Sequence, residues 1–416
     1  MNQRLDRRQL FLTMSTAAGV ALVPGWSGAQ ATPVASPVAS VPIPDDIVAA
    51  MRAAIEDTMA TEGIPGAVVH FGLPGYLPFQ EAFGVADKTT GQPVTLETHF
   101  RIGSITKTFV GMVILQLVDE GALSLDDTID TWGFTVPNAD LITVRHLLSM
   151  SSGLVNYTET HTFITFLATD PSADISLEEI VALANEEPLF APGDAYYYSN
   201  TNYILLGLIA EQVTGQELPA VLEERVFGPF GLGQTGFDVT MPEPFARGYG
   251  DVDPNIPPEV EAQLAATPVT MPVATPVADV PVDDDGQFDT TSFNPGWAWA
   301  AGEAWSTVGD MAVWLPALVA GESLSPDLAT QRLEWVPVDP DHPEYGGYGL
   351  GIADLGGLIG HNGAVPGYSS LAVLEPETGF SIVVLTNLYP GSELLMTPDT
   401  QLANATITAA LPILAP

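Results

Sequence analysis

The chain has 416 residues, 46% hydrophobic and 15% charged, apolar enough to fold either as one large domain or as two or three smaller ones. Against 51 Asp and Glu stand 11 Lys and Arg, a formal net charge of −40 that repels phosphate backbones and anionic lipid, so nucleic acid is not an expected partner. With no cysteine there is no thiol nucleophile, disulfide or thiolate metal site, and the six histidines show no metal-site spacing.

The N-terminus carries the order of features of an export signal. Arg7-Arg8-Gln9-Leu10-Phe11-Leu12 is a twin-arginine signature, an apolar run follows to about Val23, and Ala29-Gln30-Ala31 offers small residues around a cleavage point. This predicts a signal peptide over 1–31 and an extracytoplasmic or secreted mature chain. The apolar run is too short for a stable membrane anchor. Residues 32–44 (TPVASPVASVPIP) place proline every few residues among small ones and read as an extended linker. The same vocabulary returns at 267–282, within a stretch read as a surface loop insertion over 251–293, in an otherwise continuous domain over 45–416.

Within that domain the periodicities predict an amphipathic helix over 45–62, a strand pair over 66–72 and 78–85, and a helix with an apolar body over 104–120. A helical middle follows, including 143–149 and 203–214, and then a helix over 311–318. Strands over 370–374 and 380–387 flank a Glu375-Pro376-Glu377-Thr378-Gly379 turn, and a last helix covers 399–411. The expected fold class is α/β of the α+β type. The first and last strands share one antiparallel sheet, the helical middle forms a second lobe, and a site falls in the cleft between them.

Three short segments carry candidate chemistry. Of the two lysines, Lys88 and Lys107, the latter lies three residues after Ser104 at the expected start of a helix. Residues i and i+3 there share a face, with Cβ atoms about 5–6 Å apart, so the amine can reach the hydroxyl. Serine is a weak nucleophile until a base takes its proton, and lysine can be that base when burial lowers its pKa. The free N–H groups of a helix N-terminus suit a developing oxyanion. The same residues also fit a capping serine and a solvated lysine. Tyr198-Ser199-Asn200 adds a phenol able to relay a proton and an amide able to hold a substrate carbonyl while touching the lysine; Asn200 also fits a helix N-cap. In His361-Asn362-Gly363-Ala364, Gly363 would let a substrate backbone approach a strand edge.

Ser-x-x-Lys, Tyr-x-Asn and His-x-Gly in this order resemble the triple signature of serine β-lactamases and penicillin-binding proteins. The closest forms are those of class C β-lactamases and of D-alanyl-D-alanine carboxypeptidase and esterase relatives. Residues 100–108 (FRIGSITKT), 147–154 (LLSMSSGL), 301–310 (AGEAWSTVGD) and 360–369 (GHNGAVPGYS) are similar as well. The resemblance implies a β-lactamase-like fold and a serine hydrolase that cleaves an amide or ester in a cell-wall peptide, β-lactam or small ester, and the N-terminal signature makes it an exported one. It implies an acyl-enzyme on Ser104, Lys107 as the base and Tyr198 as an aid to proton transfer. Asn200 would position the substrate amide and His361 would stand in place of the family's second lysine. The N–H groups of Ser104 and Ala364 would form the oxyanion hole, and Trp299 would line the cleft. No cofactor and no metal are implied.

The departures concern substrate. The carboxypeptidase relatives often place a carboxylate-binding arginine just after a Tyr-Gly-Leu-Gly segment, whereas Tyr348-Gly349-Leu350-Gly351-Ile352 is followed here by Ala353 and Asp354. A neutral ester or amide is therefore expected to be a better substrate than a peptide ending in D-Ala-D-Ala. A penicillin or muropeptide sensor that acylates with little turnover is the alternative from another class.

Overall fold

The first long strand of the domain and the last lie side by side. In the computed structural model, residues 40–251, 282–340, 346–389 and 397–414 are described. Strand β1 (Gly66–Gly72) pairs antiparallel with β9 (Ser381–Thr386), Ala67 opposite Thr386 and Gly72 opposite Ser381. On the far side of β1 come β2 (Phe79–Asp87) and β3 (Gln92–Pro93). Beyond β9 the sheet continues through β8 (Tyr368–Leu374), β7 (Ile359–Val365), β6 (Ala353–Asp354), β5 (Gly347–Tyr348) and β4 (Val336–Pro337). The result is a nine-stranded antiparallel sheet in the order 3-2-1-9-8-7-6-5-4.

β1 and β9 are buried on both faces, which is why their sequences read as continuous apolar runs rather than alternations. Alternate residues serve two different cores. Val69, Phe71, Ile382 and Val384 pack with Met51 and Ile55 of α1 (Asp45–Glu62) and with Leu402 and Ile407 of α5 (Pro398–Leu414). Val68, Val383 and Leu385 point the other way, into the core shared with the helical lobe.

That lobe is built around α2 (Thr106–Asp119), buried from Thr106 to Leu117 apart from Gln116. A helix apolar on every side belongs in the middle of a domain. Trp314 of α4 (Val308–Ala320) donates its indole N–H to Thr108 Oγ1 at 2.9 Å, pinning the two helices together. Gly111 of α2 packs so closely on Gly351 that a Cβ would stand 2.9 Å from the Gly351 Cα. α3 (Asn200–Thr214) lies alongside, with Tyr203, Ile204 and Leu205 fully buried.

Three expectations change in detail. The helix expected to begin at 104 is preceded by a 3-10 turn, Gly103–Ile105, and the α-helix proper starts at Thr106. Residues 282–293, read as part of a loop insertion, include a strand, Gln287–Asp289, paired with Tyr249–Asp251. Phe288 there is buried and Gln287 Nε2 donates to Gly63 O at 2.7 Å, anchors invisible against the surrounding low-complexity sequence. The end of the expected linker also docks: Ile43 is buried and Val41 N donates to Gly75 O at 3.0 Å. The expected signal peptide over 1–31, most of the linker and most of the insertion lie outside the described residues. No helix among the described residues is long and apolar enough to cross a membrane.

Candidate active site

Ser104 sits in the 3-10 turn that leads into α2, partly exposed, on a backbone set up by Gly103 at φ +50°. Only glycine adopts that φ without strain. Space demands it too, since a Cβ on Gly103 would stand 2.5 Å from the Ala364 backbone N. Strand β7 thus presses its backbone directly against the turn that carries Ser104. Ser370, fully buried on β8, ties the two together by donating to Ile102 O at 2.8 Å, with Gly363 O at 3.4 Å.

One helical step on, Lys107 is fully buried. Its Nζ lies 2.9 Å from Ser104 Oγ, 2.8 Å from Asn200 Oδ1 and 2.6 Å from the Ala301 carbonyl oxygen. Asn200 is oriented by donating its Nδ2 to Thr158 Oγ1 at 3.2 Å, and its backbone N–H donates to Asn156 Oδ1 at 3.1 Å. The rings of Tyr198 and Tyr203 cover the amine at 4.9 and 5.6 Å. Burial without a paired carboxylate holds the Lys107 amine well below the ordinary lysine value. A neutral amine has two N–H donors and one lone pair. The amide and carbonyl oxygens only accept, so they take the donors, and the lone pair is left for the Ser104 hydroxyl. In the ammonium form the third donor turns to Ser104 instead, so both protonation states are satisfied.

Tyr198 reaches the same hydroxyl. Burial pushes its phenol well above the ordinary tyrosine value, while a hydrogen bond with the Ser104 side chain opposes that shift. The phenol is therefore neutral at neutral pH, and burial favours the neutral form of the amine that shares its serine.

The Beta-lactamase family profile matches residues 51–405. The chain belongs to that family. Its curated relatives include esterase EstB of Burkholderia gladioli, 32% identical over 220 residues, covering 50% of this chain and 56% of the relative. Penicillin-binding protein 4* of Bacillus subtilis (strain 168) is 31% identical over 167 residues, 39% of this chain and 35% of the relative. The chain thus spans about half or less of the length of these relatives. Among solved structures, a D-amino acid amidase from Ochrobactrum anthropi SV3 superposes with a TM-score of 0.74 at 26% identity, covering 89% of this chain and all of that one. A D-stereospecific amidohydrolase from Streptomyces sp. gives 0.69 at 29% identity, with 88% and 98% covered.

The β-lactamase-like architecture expected from the motifs is the one found. The fold brings Ser104, Lys107, Tyr198 and Asn200 into one hydrogen-bonded group, with Ala364 and Gly363 at its edge. Three of the expected site residues pack against the protein itself. The Cβ direction of Gly363 does not open toward a ligand: a methyl there would stand 2.0 Å from Ile102 O and 2.8 Å from Ser104 N. The glycine admits the chain's own Ser104 turn. His361 is 2% exposed, and burial together with the nearby Lys107 pushes its imidazole down to about 3, so it is neutral across the physiological range. Trp299, expected in the cleft, rests its ring edge on Gly207 of α3, where a Cβ would come within 2.6 Å.

Several partners escape a reading of motifs. The Ala301 carbonyl, Thr158 and Ser370 come from segments remote from Ser104 and carry no pattern of their own, and the Tyr-Gly-Leu-Gly pattern that includes Tyr348 does not point to its contact with His361. The run at 301–310 resembles the family's, but nothing in it marks its first backbone carbonyl.

Proposed function

We propose that the chain is a serine hydrolase that opens esters or amides through an acyl-enzyme on Ser104. The observation that carries this reading is the Lys107 amine at 2.9 Å from Ser104 Oγ, with its two N–H groups taken up by Asn200 Oδ1 and Ala301 O. Lys107 accepts the hydroxyl proton as Oγ bonds to the substrate carbonyl carbon. The carbonyl π pair moves onto oxygen, facing the backbone N–H groups of Ser104 and Ala364. As the oxyanion collapses, the bond to the leaving group breaks and the proton passes to that group from Lys107 through Tyr198. Water then repeats the sequence on the acyl-enzyme and frees Ser104.

The substrates we infer are neutral esters and amides. The named activities of the relatives, esterase and D-amino acid amidase, are cleavage of an ester and of an amide. A terminal carboxylate must surrender hydration to enter a cleft, and needs a cation in return. Arg101 is 6% exposed and donates to the backbone oxygens of Asp238, Val239 and Glu303. Arg247 is paired with Asp289. Ala353, where the carboxypeptidase relatives often carry arginine, is buried in β6.

The twin-arginine signature, with its apolar run and small-residue site, supports an extracytoplasmic location for the mature chain. The test of the function is a burst experiment: the chain with a chromogenic acetyl ester should release about one equivalent of chromophore per chain before a slower steady state. Ser104→Ala should abolish both phases. Equal rates in wild type and Ser104→Ala would refute the proposal.

A further inference from the structure

His361 sits where the family resemblance sets a second lysine, a side chain able to meet the substrate, yet both of its ring nitrogens are already engaged. Nδ1 faces the carbonyl oxygen of Asn362, which can only accept, so Nδ1 carries the hydrogen. Nε2 is then the lone pair, and the Tyr348 hydroxyl lies 2.9 Å from it. Both side chains are buried to within 2% and meet edge to face, ring centroids 5.6 Å apart.

The bond spans the sheet at a particular place. Tyr348 on β5 pairs with Ala353 of β6, and Ala353 pairs with Gly360 of β7. Strand β6 has only two residues, Ala353 and Asp354, opposite Gly360 and Ile359. Past Gly360, that edge of β7 has no strand partner among the described residues, and the strand's backbone meets the Gly103–Ser104 turn. The Tyr348–His361 bond reaches over β6 and grips β7 at the first residue of this unsupported stretch, three residues before Ala364.

We propose that Tyr348 is a positioning residue: by donating to Nε2 it holds His361 as the neutral Nδ1–H tautomer, and His361 thereby braces β7 beside Ser104 instead of contacting substrate. The titratable groups acting on the ring are Lys107, Tyr198 and Tyr348. None is a carboxylate that would favour the imidazolium. The effect on rate rests on the proposed Ser104 hydrolase; the tautomer does not.

The test is nitrogen NMR of the full chain labelled at histidine, with the His361 signals assigned by their loss in His361→Gln. The expected wild-type spectrum shows protonated Nδ1 and bare Nε2, unchanged from pH 5 to 8. Tyr348→Phe should shift the Nε2 signal, as that nitrogen loses its hydrogen-bond donor, and lower kcat about tenfold while KM stays within about twofold. A wild-type His361 that carries its hydrogen on Nε2, or titrates between pH 5 and 8, overturns the proposal. So does a Tyr348→Phe variant whose Nε2 signal and kcat are both unchanged. If that variant does not fold, the wild-type spectrum alone decides. The expected spectrum in a chain without hydrolase activity would leave the brace standing and remove the proposed function.

Discussion

The Lys107 amine stands 2.9 Å from the Ser104 hydroxyl and, at 2.8 Å, touches an Asn200 oxygen that can only accept. The second contact decides what the first can do. By occupying an N–H, Asn200 and the Ala301 carbonyl leave the lone pair of the neutral amine aimed at the serine proton.

The pH dependence follows with a definite sign. The base works only when deprotonated, so kcat/KM for a neutral ester should rise with pH along a limb whose midpoint lies below the ordinary lysine value, because burial depresses Lys107. Stability should follow the same direction. Between the depressed folded value and the ordinary unfolded value, the unfolded chain binds more protons, so stability rises with pH across that window. Asn200→Asp puts a carboxylate beside the amine and should move the rate limb to higher pH. A limb that stays in place would assign the titration to another group.

Removing the base should be more damaging than removing the relay. Lys107→Ala is expected to lower the acylation rate by about 10³-fold, and Tyr198→Phe by about 10²-fold, within the span usual for general acid–base groups. Pre-steady-state release of chromophore from an ester measures both. Lys107→Ala within tenfold of wild type would make Tyr198 the base.

Gly363→Ala tests the contact between β7 and the nucleophile turn. The added methyl would stand 2.0 Å from Ile102 O, 2.7 Å from Ser370 Oγ and 2.8 Å from Ser104 N. Two of these are backbone atoms that cannot swing aside, so the turn and the strand must separate. The oxyanion donors separate with them, and losing one such donor typically costs about 10²–10³ in kcat. The expected variant is folded, with a lowered Tm and a kcat reduced by that order. Unchanged kcat would mean that Ala364 does not serve the oxyanion.

How much of this could be read in advance depended on whether the signal was local. The Ser104–Lys107 pair is three residues apart on one helix face, so spacing alone predicts contact. The strands expected over 66–72 and 380–387 also rest on local patterns, and they pair as β1 and β9. The 3-10 turn before Thr106 was not legible, because it is imposed by β7 pressing on Gly103 from more than 250 residues away along the chain. Ser370 and Tyr348 were missed for the same reason: a lone serine in an apolar strand and a tyrosine among glycines acquire roles only through Ile102 and His361. His361 and Gly363 were noticed for their position in a motif, yet their surroundings are the protein itself.

Charge at the cleft bears on substrate choice. With Arg101 spent on three backbone oxygens and Arg247 on Asp289, kcat/KM should be higher for neutral esters than for peptides ending in D-Ala-D-Ala. Ala353→Arg is a poor way to restore peptide binding, because position 353 is 5% exposed and the new guanidinium would be buried unpaired. Comparing the free peptide with its C-terminal amide is cleaner, since only the charge changes. The amide should be cleaved faster, and faster cleavage of the free acid would disprove the charge argument.

The central claim is that Ser104 carries the acyl group, and the most direct measurement is mass spectrometry of the chain after brief exposure to a fluorophosphonate. The account predicts a single adduct per chain, mapping to the peptide that contains Ser104 and absent in Ser104→Ala. An adduct on any other serine, or none on a folded chain, would contradict it.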